Sequence, residues 1–366
     1  MPKRKQGKQC SIWIHCASVG EVRSIAPLIA WLRKAYPERA ILISTFTETG
    51  YSTATKVLKP DVQFLIPLEN PPAINWLIKE HDVRLLIITE TELWPQLIRS
   101  AAKRIPLLLL NGRISDKTFA NYKRFSFITS RALARFKYIY AKSEGDAIRF
   151  KSIGGRLVES GGNIKYRHEA SALNEALATR FNGKRLALAA STHFPEEELF
   201  FSCARSFKSH YDKVLLAPRH IKRSQEILAI ADGMGLSVGL YTKNDFDKDI
   251  IIIDTFGLLE SLYQLSERIF IGGSLANVGG HNVFEALQYN KPICTGPHIQ
   301  NFNDIIPLGV EHNIITIVND KAELLRYFEE DEPNANANFQ AFFQALKKEQ
   351  EHYEHSIMAS IKAVML

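Results

Sequence analysis

Ile269-Phe270-Ile271-Gly272-Gly273-Ser274-Leu275, running through Ala276-Asn277-Val278 into Gly279-Gly280-His281-Asn282-Val283-Phe284-Glu285, decides the fold. Three apolar β-formers make a strand, two Gly-Gly pairs break it, and the residues from Asn282 open a helix. Strand, glycine loop and helix in succession are the repeating unit of a parallel α/β sheet. Glycines at such a turn let the backbone approach an anion, and the free N–H groups of a helix start attract phosphate. The spacing is neither G-x-G-x-x-G nor a Walker loop, so nicotinamide and ATP chemistry are not indicated. Asn282 and Glu285 fall three apart on one helical face, where Glu285 is placed for ribose hydroxyls. A purely structural glycine turn is the competing reading, and two Gly-Gly pairs around one short loop count against it.

The same rhythm extends outward in both directions. Strand-like runs at 186–189, 214–217, 237–240, 250–254 and 292–294 accompany it, and a matching series at 12–16, 41–44, 63–66, 84–89, 107–110 and 138–141 precedes it. Gly161-Gly162 and the polar stretch 165–182 interrupt the alternation and read as a linker. A chain of 366 residues exceeds one hydrophobic core. The expectation is two Rossmann-like domains, 1–165 and 166–366, with a last polar helix near 338–358 that has no following strand and crosses back.

Composition narrows the function. With 46% hydrophobic and 23% charged residues the chain is globular, and its apolar runs are far shorter than the roughly 18 residues that span a bilayer. Met1-Pro2-Lys3-Arg4-Lys5 is basic without a following apolar segment, so it does not read as a secretory signal. Cys10, Cys16, Cys203 and Cys294 are scattered without metal-ligand spacing, which suits reduced thiols and a cytoplasmic chain. The net charge of +7 implies attraction to polyanions. Without a basic-plus-aromatic RNA-binding pattern, a phosphate-bearing substrate or an anionic membrane surface ranks above nucleic acid.

Ligands of open α/β sheets bind outside the carboxyl ends of the strands, and the unusual motifs fall there. Ala17-Ser18-Val19-Gly20-Glu21 follows the first strand: it reads either as a capping box of Ser18 and Glu21 or as a base whose ionised form the helix start favours. Thr89-Glu90-Thr91-Glu92-Leu93-Trp94-Pro95 sets carboxylates at a strand end, to steady positive charge or merely to enrich a helix start in acid. Gly161-Gly162-Asn163-Ile164-Lys165 offers a lysine for a phosphate or carboxylate, or a turn with a solvated lysine. Ala217-Pro218-Arg219-His220 presents a planar donor fork on a stiff loop. Gly296-Pro297-His298 and Asn301-Phe302 follow a further strand and read as a rigid turn or as part of the same pocket.

Taken in order, W-I-H-C-A-S-V-G-E, T-E-L-W-P, G-G-N-I-K, S-T-H, A-P-R-H, D-T-F-G, G-G-S-L, G-G-H-N-V-F-E and G-P-H, from Trp13 to Asp304, resemble the 3-deoxy-D-manno-octulosonic acid (Kdo) transferase family of lipopolysaccharide biosynthesis. The resemblance implies two Rossmann-like domains facing a cleft, the GT-B glycosyltransferase architecture. The first would bind the acceptor, a lipid A precursor, and the second CMP-Kdo. Transfer would be inverting and need neither metal nor cofactor. Matching positions make Glu21 the base and Glu92 and Lys165 the transition-state stabilisers. Pro218, Arg219, Phe256, Gly257, Leu258, Gly273, Ser274, Asn282, Val283, Phe284 and Glu285 would hold the donor. Two departures stand out. The family's D-T-M-G-E reads Asp254-Thr255-Phe256-Gly257-Leu258 here, without the acidic side chain. Its apolar amino-terminal anchor has no counterpart ahead of Trp13, so either the start is truncated or attachment is peripheral, at the cytoplasmic face of the inner membrane, with Lys3, Arg4, Lys5, Lys8, Arg33 and Lys34 as basic contacts or as plain solvated charge. A nucleotide-sugar 2-epimerase on the same fold and a non-catalytic phosphate-binding protein are the alternatives.

Overall fold

A computed structural model describes residues 10–66, 69–160, 171–330 and 336–365. The chain forms two units, one of residues 1–166 with 347–366 and one of residues 167–346. Each is built on a seven-stranded sheet in which every pairing is parallel.

The first sheet contains β1 (Ser11–Cys16), β2 (Ala40–Thr45), β3 (Val62–Leu65), β4 (Val83–Thr89), β5 (Leu107–Gly112), β6 (Tyr138–Ala141) and β7 (Val158–Ser160), in the order 3-2-1-4-5-6-7. β1, β2 and β5 are buried along their whole length, because helices cover both faces and leave no polar side to alternate with. One apolar cluster gathers Trp13, Leu42, Leu86 and Ile98; another gathers Ile12, Ile14, Ile43 and Ile87. The strand neighbours Ile12 and Trp13 thus belong to different clusters, as the period of two demands.

The second sheet contains β8 (Leu186–Thr192), β9 (Lys213–Pro218), β10 (Val238–Leu240), β11 (Ile250–Ile252), β12 (Arg268–Ile271), β13 (Ile293–Thr295) and β14 (Ile315–Ile317), in the order 10-11-9-8-12-13-14. In each sheet the order reverses beside the first strand, between β1 and β4 and between β8 and β12. Those reversals are the topological switch points, where the carboxyl ends splay apart.

The polar stretch expected to be linker contains a helix, Glu175–Arg180, capped by Asn174, which accepts from the Leu177 N–H at 3.1 Å. Leu177 and Phe181, four apart, are buried and draw it into the core. The final helix, Asn336–Met365, begins with Phe339 and Phe342 buried and later sets Tyr353, Ile357 and Ile361 in the first unit's apolar cluster. The Tyr140 hydroxyl donates to Ser356 O at 2.8 Å, and Tyr353 Oη accepts from Asn111 N–H at 3.3 Å. No helix among the described residues is long and apolar enough to cross a membrane.

Candidate active site

In the first unit the switch point carries three carboxylates. Ser18 caps the helix Val19–Ser24, its Oγ accepting from Glu21 N–H at 3.3 Å. The Glu21 side chain does not close the reciprocal box onto Ser18 N. It reaches one residue further, where Oε2 accepts from Ala17 N–H at 2.8 Å and from the Thr89 hydroxyl at 2.7 Å. Thr89 Oγ1 also lies 3.0 Å from His15 O, so its single hydrogen serves one acceptor at a time. β1 and β4 therefore hold the carboxylate together. Glu21 is only 4% exposed. Burial pushes its carboxyl up, the Glu90 charge pushes it further, and the hydrogen bonds from Thr89, Ala17 and Ser18 offset only part.

Glu90 follows β4 in the left-handed region, φ 54°, held by its N–H to Leu110 O at 2.8 Å. A non-glycine residue there is uncommon. Glu92 is half-buried, and burial raises its carboxyl, with Glu90 adding to the rise. The Trp94 indole N–H, buried and short of a formed hydrogen bond, acts to lower it. The Trp94 ring stacks on Phe46 at 5.9 Å, so it braces the turn. Tyr122, unremarked in the sequence, is half-buried and its phenol is pushed up by burial and then by Glu92. Lys165, with Gly161 to Ile164, lies outside the described residues.

In the second unit the glycine loop after β12 holds an anion, and the anion is the protein's own. Glu196, at the first position of the helix Glu196–Phe207, is buried. Its Oε1 accepts from the N–H groups of Ser274, Leu275 and Ala276 at 2.9, 2.9 and 3.1 Å. Its Oε2 accepts from Gly273 and His193 N–H at 2.7 and 2.9 Å. The nest read as a phosphate cradle is thus filled, and the amides of Gly273 and Ser274 serve Glu196. Glycine is required at 272, where a Cβ would stand 2.6 Å from Glu196 Oε2 and 2.8 Å from Ser191 O.

The other residues expected to hold the donor lie at several places in the second unit. Pro218 is buried at the end of β9, and Arg219 is exposed, its backbone N–H donating to Thr192 O at 3.0 Å. Val283 and Phe284 are buried in the core, so only their backbone can meet a ligand. The helix they were read as opening is a single turn, Phe284–Leu287. Asn282 Nδ2 donates to Glu285 Oε1 at 3.0 Å, and Asn282 Oδ1 accepts from Phe284 N–H at 3.1 Å, which fixes both side chains. Burial pushes the Glu285 carboxyl up and Glu260 adds to the rise, while the Asn282 hydrogen bond and then Arg219 offset part of it. Phe256 is 73% exposed, beside Gly257 at φ 87°, with Leu258 half-buried behind it. Gly296 N–H donates to Ser274 Oγ at 2.8 Å, and His298 N–H to Ser274 O at 3.0 Å, so the G-P-H turn buttresses the glycine loop.

Three histidines, quoted within motifs of the sequence but given no role there, complete the group. His193 ends the S-T-H motif after β8, and its Nε2 lies 2.8 Å from His281 Nε2. The His220 ring stands edge-on to His193, 5.4 Å between centroids. Burial first, then the neighbouring positive and imidazole groups, pushes His281 down to about 4, and burial lowers His193 too.

The family model of 3-deoxy-D-manno-octulosonic-acid transferase (kdotransferase) matches residues 1–168. A 3-deoxy-D-manno-octulosonic acid transferase of Rickettsia bellii is 30% identical over 337 residues, covering 89% of this chain and 80% of that protein. A bifunctional glycosyltransferase/methyltransferase of Fusobacterium nucleatum is 30% identical over 354 residues, covering 91% of this chain. The chain spans about half of that relative, 54%. Among solved structures, UDP-GlcNAc 2-epimerase from Methanocaldococcus jannaschii aligns with a TM-score of 0.57 at 15% identity, covering 92% of this chain and 99% of that one. At that identity the likeness concerns the fold alone.

Proposed function

The chain belongs to the Kdo transferase family of glycosyltransferases, and from that premise we propose that it moves Kdo from CMP-Kdo to a lipid A precursor, lipid IVA, in an inverting displacement with Glu21 as general base. The observation that carries the proposal is Glu21 itself, a buried carboxylate at a switch point whose affinity for protons is raised by burial and by Glu90. Glu21 takes the proton of an acceptor hydroxyl. The freed oxygen attacks the anomeric carbon on the side away from the phosphate, the carbon–oxygen bond to phosphate breaks, and its electron pair leaves on CMP. Glu92 steadies the positive charge that develops on the sugar. Arg219 meets the phosphate, and Asn282 and Glu285 hold the ribose. The step as written uses no metal ion.

CMP release from CMP-Kdo, measured with and without lipid IVA, tests this. Acceptor-dependent release is expected, and its absence overturns the assignment. Epimerisation of a UDP-sugar without acceptor would replace it by the 2-epimerase reading. Nucleotide binding without turnover on any acceptor would replace it by a non-catalytic role.

Phe256 supports the donor assignment, since an aromatic face that open to solvent suits a pyrimidine base. Base stacking on an aromatic is worth about 1–3 kcal/mol, so Phe256→Ala should raise the KM for CMP-Kdo roughly tenfold and leave kcat within about twofold. Initial rates over a donor titration measure both.

The acceptor is a lipid, and the first unit offers a surface for its membrane. Phe125, Phe127 and Ile128 are 58, 66 and 53% exposed where the helices Asp116–Arg124 and Ser126–Leu133 meet. Arg124 lies over Phe125, and Arg131 over Phe127 at 3.7 Å. Apolar knobs with a basic collar suit the interface of an anionic leaflet. The double variant Phe125→Asp with Phe127→Asp should bind anionic phospholipid vesicles at least about tenfold more weakly by co-sedimentation, with CMP affinity unchanged.

A further inference from the structure

We propose that the His193–His281 pair, with Arg219 and His220 beside it, seats the donor's phosphate and takes up one proton when that oxyanion arrives. The inference rests on the donor reading above and adds to Arg219 a second group, one that answers the extra negative charge the phosphate gains on leaving. Its basis is geometric. With Nε2 atoms 2.8 Å apart, the two rings share one hydrogen, one Nε2–H donating to the other Nε2. Two neutral rings hold only one further N–H, on one Nδ1. A third proton gives an imidazole–imidazolium pair with N–H on both Nδ1 atoms, two donors where there was one. Neither Nδ1 has a hydrogen-bond partner among the described residues, and neither ring nitrogen is among the buried orphaned atoms.

The pair is held for this purpose from behind. Glu196 accepts from His193 N–H, and from Gly273 N–H at 2.7 Å. Gly273 lies so close to His281 that a Cβ would stand 2.8 Å from its Cδ2. One buried carboxylate therefore fixes the backbone under both rings.

The charges facing the pair decide when the proton enters. Burial, Arg219, His220 and Arg223 disfavour an extra positive charge on His193, and only Glu196 favours it. Burial, His193, Arg219 and His220 do the same at His281. Without ligand the pair is neutral near pH 7. A phosphate among these groups reverses the balance, since an opposite charge within a few ångströms favours the cation. Binding is then coupled to proton uptake, and affinity rises as pH falls between the unliganded and liganded pKa values. During transfer the proton stays on the pair and faces the second negative charge that CMP gains on leaving. When CMP dissociates, the proton returns to water.

Calorimetric titration of the full chain with CMP at pH 6.5, in two buffers of different ionisation enthalpy, counts the protons. Wild type should take up about one proton more per CMP than either His281→Asn or His193→Asn, whose affinity should fall about tenfold, the equivalent of one pKa unit. Sulfate, which does not titrate in this range, repeats the measurement without a contribution from the ligand. Equal uptake in wild type and both variants, with circular dichroism confirming folded protein, overturns the proposal, as does absence of uptake with either anion. Should a variant not fold, His281→Gln and the slope of wild-type affinity against pH decide in its place. Proton uptake with sulfate but no binding of CMP would support the pair as an oxyanion seat and overturn the donor reading.

Discussion

Glu21→Gln lowers kcat by about three orders of magnitude, within the 10²–10⁴ that a positioned base contributes, while CMP affinity stays at the wild-type value. Glutamine keeps the oxygen that accepts from Ala17 and Thr89, so the turn is preserved and only the proton-accepting lone pair is lost. The separation between rate and binding is what distinguishes a base from a strut. In wild type the same residue should set the acid limb of the rate profile. Its carboxyl is raised by burial and by Glu90, so the limb falls above the usual glutamate range of about 4.3. Glu90→Gln removes one cause of the rise and should move the limb toward lower pH. Stability runs the opposite way. A carboxyl raised in the folded state contributes fully below its unfolded pKa and loses that contribution as pH climbs through the raised value. At pH 7 Glu21→Gln should therefore melt no earlier than wild type. A variant that lost activity and melted earlier would mark Glu21 as structural.

Of the capping box read at Ser18 and Glu21, one half is formed. The cap is present, yet the carboxylate that should complete it has been drawn to Ala17 and to a threonine 68 residues away. A sequence shows the capping signature because capping is local. It cannot show Thr89, because the adjacency of β1 and β4 depends on strand order. The same limit explains the misread glycine loop. Strand, glycines and turn were legible at 269–285, and so was their affinity for an anion. Which anion was not, since Glu196 sits 77 residues upstream of Gly273 in Glu196-Glu197-Glu198, a run that reads as ordinary acid in a first helical turn. The strand of three isoleucine and threonine residues at β14 escaped for a simpler reason. It is short and follows a helix of only six residues, Ile306–Glu311, so no long periodic segment announced it.

Glu196→Ala should be the most destabilising of the substitutions considered, about 4 kcal/mol, because it strands buried N–H groups of His193, Gly273, Ser274, Leu275 and Ala276 together. The separate hydrogen bonds do not add, since a water entering the vacated space can answer two or three of them. Glu196→Gln is no rescue. Each carboxylate oxygen receives at least two N–H donors, so whichever end becomes the amide NH₂ meets donors with a donor. About half the loss should remain, roughly 2 kcal/mol. At about 2–4 °C per kcal/mol for a unit of this size, the alanine variant should melt on the order of 10 °C lower in a thermal scan. The decisive comparison is with Glu198, two residues on and exposed. Glu198→Ala removes the same charge from the same helical turn and should leave the melting temperature within about 1 °C, as surface substitutions do. Equal effects from the two would mean that the helix start wants negative charge in general. A large loss confined to Glu196 would mean that the glycine loop is folded around this one carboxylate.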